Sequence, residues 1–177
     1  MYKTLLKSLL FQLPPEAAHH LTFDLTKFSF NLPLIKGLVN QNFEFELDKE
    51  SEENCPLSLP KQFLYEPNAA IMKSGGFNQI GIQTGLAKLH TPSHLYTGNK
   101  LIEFTGRRFE IKEVIPATGK ELKRKLKGSK ANVTTRNYPQ KVEEIRKSLN
   151  LKDGGQVYLF FTTNCEKEKV CLVCEKV

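Results

Sequence analysis

The fold of this chain is decided by residues 109–135, which read FEIKEVIPATGKELKRKLKGSKANVTT. The apolar residues at the start of this stretch predict a strand, which Pro116 closes. Thr118 and Glu121 have the spacing of a capping box, which predicts a helix that ends at Gly128. The β-branched run that follows predicts the next strand.

The sequence after residue 135 continues this order. Pro139 begins a second predicted helix, whose apolar residues recur every three or four positions. A turn at 153–155 separates this helix from two strands, 157–163 and 169–175, which together predict a hairpin. The order is β-α-β-α-β-β, and it predicts an α+β fold in which helices pack on a small mixed sheet.

The residues before 109 have weaker patterns. The acidic stretch 44–62 predicts a linker or a domain boundary, with a short edge strand at its start as the alternative. Two helices are predicted next, one from Pro67 to a glycine pair and one ending at Gly85. A short strand pair with a Gly-Asn turn is predicted over 93–105.

The first 42 residues form apolar helical stripes interrupted by prolines. Such amphipathic helices predict packing on a partner domain or on a membrane surface. The chain contains no charge-free apolar stretch of the roughly 18–20 residues that a spanning helix needs. It also lacks a secretory signal pattern, so we expect a cytoplasmic protein, with peripheral contact at the inner membrane through residues 1–42 as a further expectation.

Positive charge is concentrated in one segment. The 177-residue chain has a formal net charge of +7, while residues 107–152 alone hold 14 Lys or Arg against five Glu. This concentration favours a surface that binds a polyanion, and a solvated helical face is the alternative.

Motifs of catalysis and metal binding are missing from the sequence. It holds no phosphate-cradling, dinucleotide-binding, serine-hydrolase or zinc-protease motif. Cys171 and Cys174 have C-x-x-C spacing, but a strand sends residues three apart to opposite faces, and a zinc site needs four ligands. We therefore predict no metal site, no cofactor and no catalytic residue.

The opening of the chain resembles a known family. Met1-Tyr2 and the stretch LFQLPPEAAHHLTF at 10–23 are similar to the N-terminal extension of class 2, quinone-dependent dihydroorotate dehydrogenase. The resemblance implies a pair of amphipathic helices that rest on a membrane and frame a quinone tunnel. The flavin-binding barrel of that family is not in this sequence, so the resemblance implies a docking element without its enzyme.

The residues from about 43 onward resemble the C-terminal portion of bacterial class I SAM-dependent methyltransferases. The similarity rests on FLYEPNAAIMK at 63–73, SHLYT at 93–97, GRRFE at 106–110, KANVTTRNYP at 130–139, and LKDGG at 151–155 with YLF at 158–160. The resemblance implies a ferredoxin-like domain over 43–106 and a THUMP-like domain, related to tRNA-binding THUMP domains, over 107–177. The methyltransferase core, with its glycine-rich SAM loop, is absent from the sequence.

These resemblances predict a non-catalytic, RNA-binding portion of a SAM-dependent RNA methyltransferase, with tRNA or rRNA as partner. The alternative is a membrane-docking fragment of dihydroorotate dehydrogenase, and a purely structural fragment is a third reading. A fusion remnant or an assembly artefact explains the join more simply than a new architecture.

The predicted RNA contacts lie on the first helix of the basic segment and around the strand that follows it. They are Lys123, Lys127, Lys130, Arg136 and Lys141. Arg136 is the strongest of them, because beside Asn137 and Tyr138 it combines a forked donor with a stacking face.

Overall fold

A computed structural model describes residues 43–177, so the helical extension predicted for 1–42 lies outside the described residues. In this part no helix is long and apolar enough to cross a membrane. The elements in chain order are α1 (Leu47–Glu52), β1 (Phe63–Pro67), α2 (Ala69–Ser74), α3 (Phe77–Thr84), β2 (Ala87–Lys88), β3 (Tyr96–Gly98), β4 (Gly106–Pro116), α4 (Lys120–Leu126), β5 (Asn132–Arg136), α5 (Val142–Leu149), β6 (Val157–Thr163) and β7 (Lys169–Lys176).

These strands form one seven-stranded mixed sheet in the order β2-β3-β1-β4-β7-β6-β5. Strands β5 and β6 are parallel, and the other neighbouring pairs are antiparallel. The α+β class and the β-α-β-α-β-β order from β4 to β7 are confirmed. Strand β4 pairs with β1 on one side and β7 on the other. The sheet is therefore continuous across residue 106, and the domain limits drawn from the sequence stay a prediction.

Helices α4 and α5 cover one face of this sheet. Leu122 and Leu126 of α4, with Ile145 and Leu149 of α5, are buried in a cluster that includes Phe161 of β6. The spacing of four residues in each pair places both side chains on one helical stripe. Each such burial contributes about 1.5–3 kcal/mol, which explains why the strongest periodicity in the sequence predicts these two helices correctly.

The opposite face carries a second cluster. Phe109 of β4 and Phe160 of β6 meet edge to face, with ring centroids 4.9 Å apart. Leu89 and Leu95, from the segment between β2 and β3, pack over the same cluster. This segment therefore covers the sheet face that the helices leave open.

The acidic stretch before β1 is neither a linker nor an edge strand. It contains α1, whose Glu50 carboxylate accepts hydrogen bonds from the backbone N–H groups of Asn78 (2.8 Å) and Gln79 (2.8 Å). These groups begin α3 and have no acceptor within their own helix. Further along the stretch, Cys55 is only 5% exposed. The stretch is thus an integral part of the fold.

The hairpin predicted over 93–105 is also wrong. Strand β3 pairs with β1 and β2, and the residues after Gly98 form no strand before β4. The Tyr65 hydroxyl donates to the Lys100 carbonyl (2.6 Å) and accepts from the Ile102 N–H (3.2 Å). These bonds hold the segment in an irregular path.

The predicted capping box at the start of α4 does not form. The helix begins after Gly119, which has a φ of 104° and provides no side-chain cap. The helix itself is confirmed, so the leucine stripe and not the cap decides its position.

The sheet separates the two cysteines of the C-x-x-C motif. Cys171 belongs to the cluster under the helices and Cys174 to the cluster on the other face, as the strand periodicity predicts. Burial raises the pKa of both thiols, and it also raises the pKa of the Cys55 thiol. Of the four cysteines, Cys165 is the one that is not buried.

We expect a thiol reagent to modify Cys165 rapidly and the other three cysteines only after unfolding. The reason is that the thiolate is the reactive form, and burial both disfavours the thiolate and blocks access to it. Mass spectrometry after a short labelling pulse would identify the modified residue, and a urea-unfolded sample would show that all four can react. Rapid labelling of Cys171 or Cys174 in the folded protein would contradict the described packing.

Candidate nucleic-acid interface

The 14 basic residues of segment 107–152 fall into two groups. Six form ion pairs with carboxylates: Arg107, Arg108, Lys112, Lys125, Arg136 and Arg146. Eight are exposed and form no ion pair with a described residue: Lys120, Lys123, Arg124, Lys127, Lys130, Lys141, Lys147 and Lys152. Four of the five predicted contacts belong to the second group, and Arg136 belongs to the first.

Helix α4 carries a basic stripe on its solvent side. Its two leucines face the sheet, so helical periodicity places Lys120, Arg124 and Lys127 on the far side of the helix. Lys123 lies next to this stripe, one turn before Lys127. The stripe therefore presents four positive charges that no described carboxylate neutralises.

The stripe continues into the loops where α4 and α5 end. The Gly128 N–H donates to the Leu149 carbonyl at 2.9 Å, which joins the ends of the two helices. Lys130 and Lys152 lie side by side in an isolated parallel bridge. We call the resulting surface the basic strip: Lys120, Lys123, Arg124, Lys127, Lys130 and Lys152.

The structure does not bring all five predicted residues together. Lys130 lies just before β5 and Arg136 ends it, which separates them by about 20 Å of strand at ~3.3 Å per residue. Arg136 pairs with Thr162, which shares a sheet face with the buried Phe160. The Arg136 side chain therefore lies on the face of the sheet that is opposite the helices. Lys141 precedes α5, at the same end of the sheet as Arg136.

Arg136 contacts a buried carboxylate. Its Nη2 donates to Oε1 of Glu66 at 2.9 Å, and Nε of Arg107 donates to Oε2 of the same carboxylate at 2.7 Å. Glu66 is only 3% exposed. The Tyr138 ring packs against the Phe161 ring at 5.5 Å. Part of the Arg136 fork and the Tyr138 ring thus have partners among the described residues, and a role of Arg136 in RNA binding stays a prediction.

Further positive charge lies near Arg136. The His94 ring stacks on the Phe77 ring at 3.8 Å. Burial lowers the pKa of His94, the charges of Lys88 and Arg136 lower it further, and the carboxylate of Glu50 opposes them. Lys88 is 3% exposed and its Nζ donates to Asn78 at 2.9 Å. Lys88, Arg136 and Glu50 therefore all lie close enough to His94 to influence its pKa.

Sequence reasoning missed some residues of the basic strip and the residues that contact Arg136. Lys120 and Arg124 complete the stripe of α4, and the helical period around its leucines is the signal that would have found them. Glu66 and Arg107 carry no such signal, because their importance depends on a contact with Arg136.

Two family models match the described chain. A ferredoxin-like domain matches residues 63–104, and a THUMP domain-like family matches residues 106–176. These matches confirm the predicted resemblance of the residues after 43 to a ferredoxin-like domain and a THUMP-like domain. The resemblance of residues 1–42 to dihydroorotate dehydrogenase stays a prediction.

A solved structure resembles the same part of the chain. It is described as the crystal structure of a "putative methyltransferase" from Porphyromonas gingivalis W83, and it matches with a TM-score of 0.71 and 33% sequence identity. The match covers 76% of this chain and 34% of that one, so this chain spans about a third of its relative's length. No curated protein matches the chain. Together with the sheet topology, these matches show that the chain contains a ferredoxin-like domain followed by a THUMP-like domain.

Proposed function

We propose that this chain is the RNA-binding portion of a methyltransferase-associated protein and that the basic strip contacts the RNA. The observation that carries the proposal is the strip itself, six exposed cations with no carboxylate partner among residues 43–177. The THUMP-like match supports RNA as the polyanion, because THUMP domains bind RNA. The likeness to the Porphyromonas gingivalis protein supports the association with methyl transfer.

The chemistry of the strip suits phosphate contacts. Lysine ammonium groups neutralise phosphates and release the counterions condensed on the nucleic acid, which gives affinity that falls steeply with salt. Such contacts position an RNA without reading its bases. The role that we propose is therefore non-catalytic: the strip holds a structured RNA, with tRNA as the first ligand to test, while a separate domain transfers the methyl group.

We expect the variant K123Q/K127Q/K130Q to bind tRNA about tenfold more weakly than wild type at low salt. The slope of log affinity against log salt should become shallower by about two to three, since each lost phosphate contact removes roughly one counterion. Fluorescence anisotropy with labelled tRNA, repeated at several salt concentrations, measures both quantities.

The matched control is K61Q/K73Q/K100Q, which removes three exposed lysines, in or next to the ferredoxin-like part, that form no ion pair with a described residue. Both triple variants therefore have the same net charge. It should bind almost as well as wild type. Equal losses in the two variants would mean that bulk charge attracts the RNA, and the proposed surface would then be rejected. Lys141 lies outside the strip, and K141Q tests it as a separate contact with a smaller expected loss.

A further inference from the structure

We propose that Arg107 and Arg136, held by the buried carboxylate of Glu66, form a second anion site that binds an RNA backbone phosphate. The identity of the ligand rests on the proposed function, but the site does not share a residue with the basic strip. Glu66 comes from the ferredoxin-like part, and both arginines come from the THUMP-like part. The site therefore exists only where the two parts are joined.

The curvature of the sheet creates this site. Glu66 is on β1 and Arg136 is on β5, and three strands separate them in the sheet order. In a flat sheet these positions would be about 19 Å apart, at ~4.8 Å per strand. The two side chains nevertheless form a hydrogen bond of 2.9 Å. The sheet must curl toward this face, and the curl brings the arginines of β4 and β5 to one carboxylate.

Glu66 orients both guanidinium groups. Arg107 uses its Nε and Nη2 on Oε2 of Glu66, and Arg136 uses its Nε and Nη2 on Oε1. The guanidinium carbon of Arg107 also lies 5.6 Å from the centroid of the Phe109 ring. Both guanidinium groups are thus fixed before a ligand arrives, which lowers the entropic cost of binding.

Each arginine keeps a free donor edge. Neither Nη1 group donates to a described residue. The side chain of Arg107 is 47% exposed and that of Arg136 is 35% exposed, so a ligand can reach these edges from solvent.

The charge of the cluster favours an anion. Two guanidinium groups and one carboxylate leave a formal charge of +1. A phosphodiester carries one negative charge and two free oxygens, which matches one unbalanced charge and two donor edges. A backbone phosphate would therefore neutralise the cluster and fill both edges.

Side-chain NMR of the full chain tests this site directly. Arginine Nε–H resonances would be followed while inorganic phosphate replaces chloride at constant ionic strength, and the single variants R107K and R136K would assign the two resonances. We expect both to shift in a saturable manner, whereas that of Arg108, whose partner Glu103 is exposed, stays in place. Absence of a shift beyond the chloride control would overturn the proposal.

The double variant R107K/R136K keeps the charges but removes the forked donors. We expect it to weaken phosphate binding about a hundredfold, because each of the two forks loses one charge-assisted hydrogen bond and each loss is worth about tenfold. An unchanged backbone amide spectrum would show that the variant is folded. If it binds phosphate as tightly as wild type, the two forks do not form the site.

Failure of the two proposals can be told apart. If wild type shows the phosphate shifts but no tRNA binding, the anion site stands and RNA is rejected as its ligand. If tRNA binds through the basic strip while R107K/R136K binds tRNA as well as wild type and phosphate causes no shift, the proposed function stands and the second site is rejected.

Discussion

The double substitution R107Q/R136Q should lower the free energy of unfolding by about 3–5 kcal/mol. Both oxygens of the Glu66 carboxylate would lose their partners while remaining almost fully buried. An uncompensated buried charge is among the most destabilising changes in a protein, because desolvation is no longer offset by ion pairing. Urea unfolding followed by circular dichroism measures the loss.

Two controls separate this mechanism from a general loss of charge. Glu66→Gln should cost less, about 1–2 kcal/mol, because the half-exposed guanidinium groups can turn to water. The variant R108Q/R124Q also removes two arginines, but the partner of Arg108 is exposed and Arg124 has no ion pair with a described residue. It should cost at most about 1 kcal/mol. A comparable loss in all three variants would show that Glu66 does not organise this part of the sheet.

Gly106→Ala should destabilise the fold by about 3 kcal/mol, at the upper end of the range for overpacking. A Cβ at this position would meet the backbone carbonyl of Glu66 and would lie 2.9 Å from the Cα of Pro67. Both are backbone atoms of β1, which is paired with β4 at this point, so neither can move without breaking the sheet. Thermal and urea unfolding would both report the effect.

The appropriate control is Gly128→Ala. Gly128 has a φ of 79° and open space around its Cβ position, so the substitution adds conformational strain without a collision. We expect a cost of about 1 kcal/mol. If the two alanine variants lose similar stability, close approach of β1 and β4 is not the reason for glycine at 106. Gly106→Ala should also shift the Nε resonance of its neighbour Arg107, whereas Gly128→Ala should not.

The order of the elements from β4 to β7 could be predicted because its signals are local. The leucines of α4 and the apolar residues of α5 recur with the helical period, and each stripe is buried as expected. The hairpin of β6 and β7 follows from two apolar runs with a polar turn between them. Neighbouring residues are enough to specify such elements, because burial of one face needs only the correct period.

The ferredoxin-like part was predicted less well. Strand β1, which reads FLYEP, has no alternating pattern, because four of its five residues are buried and one of them is Glu66. Its central position in the sheet depends on β3 and β4, which lie about 30 and 40 residues further along. Such pairing is a tertiary contact, and the sequence of β1 alone does not predict it.

The candidate site divides in the same way. Lys123, Lys127 and Lys130 were predicted from charge and helical position, and the structure places them in one exposed strip. The partner of Arg136 was not predictable, because Glu66 precedes it by 70 residues and belongs to another part of the chain. Charge density can be counted along a sequence, whereas the pairing of charges depends on which strands the fold brings together.

The sequence by itself determined the order of the helices and strands after residue 106, the opposite orientation of Cys171 and Cys174, and the basic character of α4. Each depends on the period with which side chains return to the same face, which is two residues in a strand and three to four in a helix. Such a period can be recognised within a few neighbouring residues. Only the tertiary structure decided which cations are free and which are paired. The curl of the sheet places Glu66 against Arg136 across three intervening strands. The lysines of the strip lie on α4 and in the loops beyond the helices, where no described carboxylate pairs with them.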